Sequence, residues 1–263
     1  MKRVLTDRRV IVTGASSGIG RAVAVALAQA GAKVTAAARS QDKLAALSAE
    51  TSGVHTVVAD LTIDADRRRL VDVALQKWGG LDLLVNVAGI AAWGHFQTST
   101  EAINRAILET NFFAPAELIR AAVPHLVNGV QPAIVNLTSM CSRRGMPAWP
   151  EYSASKFALA GLTEALRGEM TRFGIDVIHI VPGLTKTGLT GNMLRNEGRV
   201  KIPFEDGMEP AEVANQVLAA IRNNKAEVVL GSEARKILKL NKWTPRLLNR
   251  LIARRVTQEY TAG

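Results

Sequence analysis

The sequence predicts an α/β fold, doubly wound, in which one parallel sheet of about seven strands carries helices on both faces. The first observation behind this is an alternation: short, nearly continuous apolar runs take turns with longer Ala- and Leu-rich segments of helical period. The second is that the connections are short, as right-handed crossovers between neighbouring parallel strands require. The third is that residues with chemical handles fall at the carboxyl ends of the apolar runs, where the ligand crevice of such a sheet lies. The chain has 263 residues, 48% hydrophobic and 21% charged, enough to bury the core of one large domain.

Arg9 to Thr13 reads as the first buried strand and runs into Gly14-Ala15-Ser16-Ser17-Gly18-Ile19-Gly20. An Ala/Val-rich helix follows to about Ala30 and is closed by Gly31. Strand, glycine-rich turn and helix in this order give a phosphate-binding loop its physical meaning, because backbone N–H groups and a helix N-terminus meet an anion there. The spacing is Gly-x-x-x-Gly-x-Gly, not the Gly-x-Gly-x-x-Gly of the general dinucleotide motif. A second strand, Lys33 to Ala38, ends at Arg39 and Ser40. A carboxylate at this place would bind the adenosine ribose of NAD; a cation and a hydroxyl instead suit the 2′-phosphate of NADP, so NADP(H) is the expected cofactor.

The period continues with a helix from Gln41 to Ala49, a strand from Val54 to Ala59 ending in Asp60-Leu61, and a helix from Ala65 to Trp78. A strand from Leu81 to Val85 ends in Asn86-Val87-Ala88-Gly89, and Thr100 to Leu126 reads as one helix with Asn111 inside and Pro115 at a bend or a helix start. Asn111 is an unfavourable choice inside a helix. The strand Ile134 to Leu137 leads through Thr138 and Ser139 to Tyr152-Ser153-Ala154-Ser155-Lys156, which opens another helix. Asp176 to Val181 is a strand followed by Pro182-Gly183-Leu184-Thr185-Lys186-Thr187, and the irregular segment to about Gly207 is expected to be a mobile lid. Glu209 to Asn223 is a helix with Pro210 in its first turn, and Glu227 to Leu230 is the last strand.

Tyr152 and Lys156 stand one helical turn apart on one face. A phenol titrates near 10, and bringing it to neutrality takes about 4 kcal/mol. An ammonium ~4 Å away at an effective dielectric of ~20 supplies about that. The expectation is therefore a phenol lowered by its lysine, with the Ser139 hydroxyl steadying a substrate oxygen.

Thr13-Gly14-x-x-x-Gly18-Ile19-Gly20, Asn86-x-Ala88-Gly89, Asn111, Ser139, Tyr152-x-x-x-Lys156 and Pro182-Gly183, in this order and spacing, resemble the short-chain dehydrogenase/reductase family over about residues 7 to 232. The likeness implies a Rossmann-type fold and an oxidoreductase that interconverts a carbonyl and an alcohol. It implies Tyr152 as general acid/base, Ser139 as stabiliser of the reacting oxygen, and Lys156 as the residue that lowers the Tyr pKa and holds the nicotinamide ribose. Asn111 would support a water linking Lys156 to solvent. Cofactor contacts are implied for Gly14, Ser16, Ser17, Gly18, Ile19, Gly20, Asp60, Leu61, Asn86, Ala88 and Gly89, and for Pro182, Gly183, Thr185 and Thr187. Val87 departs from the frequent Asn-Asn-Ala-Gly pattern, while the first Asn is kept. Trp93, Met140, Met146, Trp149 and Met193 are expected pocket walls and favour a bulky apolar substrate. A catalytically idle dinucleotide sensor or scaffold is the alternative, against which the intact Ser139, Tyr152 and Lys156 argue.

Residues 1–232 thus form the binding and catalytic domain, and 233–263 a basic amphipathic tail packed on it or on a partner. The net charge is +10, and Arg235, Lys236, Lys239, Lys242, Arg246, Arg250, Arg254 and Arg255 lie in a stretch without an acidic residue. With Leu247, Leu248, Leu251, Ile252 and Val256 they make a helix that could also meet an anionic membrane surface. Nucleic acid is not the expected partner, since no series of base-stacking aromatics accompanies the charges. A homodimer or homotetramer is expected. The single cysteine, Cys141, excludes an internal disulfide and fits a reducing, cytoplasmic compartment. No metal site is expected: His95, His125 and His179 lack ligand spacing, and no signal peptide or spanning run is evident.

Overall fold

The computed structural model describes residues 2–188, 193–198 and 203–261, the side chains of 259–261 excepted. Among these, seven strands form one parallel sheet in the order β3-β2-β1-β4-β5-β6-β7. The strands are β1 (Arg9–Thr13), β2 (Lys33–Ala38), β3 (Val54–Val58), β4 (Leu83–Asn86), β5 (Ala133–Leu137), β6 (Asp176–Pro182) and β7 (Glu227–Leu230). The order reverses between β1 and β4, and the crevice of a doubly wound sheet opens at that point.

The central strands divide their side chains between two cores, which is why those apolar runs are continuous rather than alternating. Val10 and Val12 face one core and Ile11 the other; Leu83 and Val85 oppose Leu84 in the same way. The first core is closed by α1 (Gly18–Gln29) and α7 (Pro210–Arg222) through Val23, Leu27, Val213 and Val217. The second is closed by α3 (Asp64–Trp78) and α5 (Ala114–Leu126) through Leu70, Leu118 and Leu126. α2 (Gln41–Glu50) caps the β2–β3 edge with Leu44 and Leu47.

At the amino ends of the strands, Asp82 accepts from Arg9 Nη2 at 2.6 Å, Arg9 Nε at 2.9 Å and Val130 N at 2.7 Å. Arg3, 4% exposed, is held by Asp176 at 2.6 Å and by the Ile221 carbonyl at 2.7 Å. These polar clamps lie away from the crevice, so that edge of the molecule is structural.

The segment expected as a single helix over Thr100 to Leu126 is divided. α4 (Glu101–Leu108) passes through a π turn, Glu109–Phe113, into α5. Pro115 explains the widening: it has no N–H for the carbonyl four residues back, which is that of Asn111, and its ring crowds the same carbonyl.

Beyond β7 the tail folds back on its own chain as α8 (Ser232–Trp243) and α9 (Pro245–Thr261), broken at Thr244-Pro245. Arg144 Nη1 donates to Asn241 Oδ1 at 3.1 Å and its Nη2 to Asn249 Oδ1 at 2.6 Å, and Leu248 is buried.

Part of the expected lid, residues 189–192 and 199–202, lies outside the described residues. The described part is tied down: Trp93 pairs with Asn196, Thr185 with Met208, and buried Arg195 donates to the His95 carbonyl at 2.6 Å.

Candidate active site

β1 delivers the chain to Gly14 at φ +68°, where a Cβ would stand 2.9 Å from the Ala88 backbone. Only glycine serves there. A Cβ on Gly20 would stand 2.2 Å from the Gly14 carbonyl oxygen, so the turn closes onto α1 through the absence of side chains. Thr13 Oγ1 accepts from Val87 N at 3.0 Å and Ala88 N at 3.2 Å, lashing the ends of β1 and β4 together. α1 starts at Gly18, and Ser17 at its N-cap makes no side-chain cap. The first turn therefore keeps N–H groups and a positive dipole end for an anion.

A cleft of about 280 Å³ runs from this loop along the sheet edge. Ser16, Ser17, Gly18, Ile19 and Gly20 line its centre; Arg39 and Ser40 stand at one end with Lys43 from the first turn of α2. Asp60, Leu61, Ala88 and Gly89 form the next stretch, and Tyr152, Lys156, Pro182 and Thr187 the other end. Arg39 and Ser40 are exposed. Lys43 escaped the sequence reading, although it stands four residues after Arg39 on the same helix entry. Asn86 does not line the cleft: its Nδ2 donates to Asn136 Oδ1 at 2.9 Å beneath it, and Asn136 Nδ2 donates to Thr163 Oγ1 at 3.0 Å.

α6 (Pro150–Glu169) carries Tyr152 and Lys156 on its buried face, and Lys156 Nζ lies 5.7 Å from the centroid of the Tyr152 ring. Lys156 Nζ also donates to the Leu137 carbonyl at 3.5 Å. Ser139, two residues beyond β5, accepts from Cys141 N at 3.1 Å through its Oγ and acts on the Tyr152 phenol, pulling its titration down.

The expected electrostatics are corrected here. Burial pushes the Tyr152 phenol up, the Cys141 sulfur adds to the rise, and the Ser139 hydrogen bond only partly opposes it. Burial also pulls the Lys156 ammonium down to about 8. An ammonium ~4 Å away supplies about 4 kcal/mol to a phenolate only where both keep their water, in surroundings with an effective dielectric of ~20. Loss of water on burial dominates for both groups, so the phenol stays protonated at neutrality.

Asn111 is fully buried in the π turn. Its Nδ2 donates to the Ile90 carbonyl at 2.9 Å and to Ser155 Oγ at 2.9 Å, and its Oδ1 accepts from Ile90 N at 2.8 Å. A Cβ at Gly89 would stand 3.1 Å from Asn111 Oδ1 and 3.2 Å from Lys156 Nζ, so Asn111 borders the lysine across that loop. Behind Thr138, the buried His179 places Nε2 2.7 Å from Thr138 Oγ1 and Nδ1 3.1 Å from Glu227 Oε2. Burial lowers its pKa, leaving a neutral structural imidazole. Cys141 is buried, and desolvation pushes its thiol up, away from a nucleophile's role.

A second pocket of about 420 Å³ adjoins the first; Thr138, Tyr152, Pro182 and Thr187 line both, while Ser139, Gly183 and Thr185 line this one. Met140, Met146 and Trp149 are walls as expected. Trp93 and Met193 are not; they pack behind Trp149, with the Trp93 and Trp149 rings stacked 6.4 Å apart. The walls missing from the sequence reading come from far along the chain: Leu184 and Phe204, then Ile237 of α8 and Leu248, Ile252 and Val256 of α9. The apolar stripe of the tail was legible; that it faces the site was not.

The short chain dehydrogenase family model matches residues 8–198. Among relatives, an "uncharacterized oxidoreductase YxnA" of Bacillus subtilis is 33% identical over 94% of this chain and 72% of its own length. A "ketoacyl reductase HetN" of a Nostoc species is 34% identical over 86% of this chain and 79% of its own. The dehydrogenase/reductase SDR family member 7B of Bos taurus is 30% identical over 98% and 84%. A crystal structure of a short chain dehydrogenase/reductase from Burkholderia phymatum in complex with NAD superposes with a TM-score of 0.85 at 24% identity, over 93% of this chain and 96% of that one.

Proposed function

This chain belongs to the short-chain dehydrogenase/reductase family of oxidoreductases, and on that premise we propose that it interconverts a carbonyl and an alcohol with NADP(H), on a bulky apolar substrate. The observation that carries the reading is the junction of two clefts at Tyr152: a glycine-cradled, anion-ready cleft on one side and an apolar pocket on the other.

The first cleft fits a nicotinamide dinucleotide because its floor is built where a Cβ cannot stand, at Gly14 and Gly20. Such a cofactor, when bound, supplies or accepts the hydride. Arg39, Ser40 and Lys43 offer two cations and a hydroxyl and no carboxylate at the ribose end, which suits a 2′-phosphate. The Burkholderia phymatum protein binds NAD; here Arg39 and Lys43 favour the phosphorylated form.

On the protein's side, the reaction is a proton transfer. A phenol kept protonated by burial is an acid at neutral pH, so Tyr152 Oη can give its proton to a carbonyl oxygen as that oxygen gains charge. The Ser139 hydroxyl donates a hydrogen bond to the same oxygen. Lys156, still mostly protonated at pH 7 with its pKa near 8, adds a positive charge at the cleft end. Trp149, edge-on to the Tyr152 ring at 5.5 Å, and the tail residues exclude water.

The test is direct. NADPH should raise the melting temperature more than NADH at equal concentration, the difference shrinking in Arg39→Ala. Tyr152→Phe should keep the NADPH shift and lose on the order of 10²–10⁴-fold in carbonyl reduction. A larger shift with NADH would remove the cofactor assignment, and full activity in Tyr152→Phe the chemical one.

A further inference from the structure

The tail has two faces with different company. Inward, Ile237, Leu248, Ile252 and Val256 wall the apolar pocket. Outward, Leu240, Trp243, Leu247 and Leu251 are exposed, Trp243 to 70%. Monomer surfaces rarely gather large apolar side chains on one element without a partner. The element is also the most basic in the chain, with eight Lys and Arg and no acidic residue between Arg235 and Arg255. Leu251 belongs to both sides, since it lines the pocket and is 47% exposed. The rim of the pocket is therefore continuous with the outer patch.

We propose that the outer face of α8 and α9 docks on an anionic lipid surface, so that an apolar substrate passes from the bilayer into the pocket past Leu251. Charge decides the occupant. An isologous pairing of this face with a second copy would bring two clusters of like charge together. An anionic leaflet instead attracts each Lys or Arg while the exposed Trp and Leu side chains enter the headgroup boundary. No helix among the described residues is long and apolar enough to cross a membrane. Delivery of substrate rests on the proposed function; docking itself does not.

The experiment is co-sedimentation of the full chain with phosphatidylcholine vesicles and with vesicles that also contain phosphatidylglycerol. Binding is expected only to the second and should weaken as salt rises. The triple variant Lys239→Gln, Lys242→Gln, Arg246→Gln, none of which lines either pocket, should bind roughly 100-fold more weakly, at a factor of about 5 per cation. Its NADPH-induced thermal shift and its reduction of a water-soluble aldehyde should match wild type and report an intact fold. Reduction of decanal carried in the anionic vesicles should fall. Equal binding to both vesicle types, or a variant that changes oligomeric state and not vesicle binding, would overturn the docking. Anionic binding without any carbonyl turnover would instead overturn the proposed function and leave the docking in place.

Discussion

At the scale of single residues, the site holds two ionisable groups in a setting that opposes both charges. The Lys156 pKa falls from 10.5 to about 8 on folding, so the folded chain binds its proton less tightly than the unfolded chain. The resulting penalty is complete below pH 8, fades as pH climbs toward 10.5, and amounts to about 3 kcal/mol. Lys156→Met, similar in length and uncharged, should therefore stabilise the cofactor-free protein at pH 7 by up to that amount while abolishing turnover. Urea midpoints of both proteins at pH 7 and pH 9.5 would show the gain narrowing; a variant no more stable than wild type at pH 7 would refute it. The sequence displayed the Tyr152 and Lys156 pair through its four-residue spacing, and Ser139 through its place at a strand end. It could not display their burial: Trp149, Cys141 and the tail reach Tyr152 only through tertiary packing, and Lys156 lies on the side of the glycine-rich cleft.

At the scale of elements, the π turn widened by Pro115 holds one buried amide, that of Asn111. Asn111 sits where an ordinary helix would have no use for it, and the turn aims its side chain at both polar groups of the Ile90 backbone. The oddity was visible in the sequence as an Asn four residues before Pro115. The geometry was not, because Pro in a helical pattern signals a bend or a start as readily as a widened turn. Asn111→Ala should leave the Ile90 N–H without its acceptor and cost about 2–4 kcal/mol. Asn111→Asp should cost at least as much, since it buries a carboxylate and turns an acceptor toward the Ile90 carbonyl where the amide donated. Because Gly89 and Ile90 form part of the cofactor cleft, NADPH affinity should fall in both variants. Denaturant midpoints and thermal shifts measure the two effects; a variant destabilised with unchanged NADPH affinity would confine Asn111 to the core.

At the scale of the whole molecule, the parallel sheet was readable because its central strands are buried on both faces and each loop of interest falls at a carboxyl end. Local pattern and global topology agree there. The tail was readable as an amphipathic helix and no further, since an apolar stripe names no partner. In the structure that stripe closes a pocket, held there by Arg144 bonds to Asn241 and Asn249 that span 97 and 105 residues of sequence. The consequence for specificity can be tested by deleting residues 245–263. No residue of α9 lines the dinucleotide cleft, so the NADPH thermal shift should persist. Five residues of α9 line the adjoining pocket, Leu248, Leu251, Ile252, Arg255 and Val256, so a large apolar carbonyl loses one wall. Contact equivalent to one buried aliphatic side chain is worth about 1.5 kcal/mol or more, roughly a tenfold rise in KM for such a substrate. A small carbonyl that reaches only Ser139 and Tyr152 has no contact to lose there, and its kcat/KM should change little. An equal fall for both substrates, or loss of the NADPH shift, would mean that α9 supports the site as a whole rather than selecting what enters it.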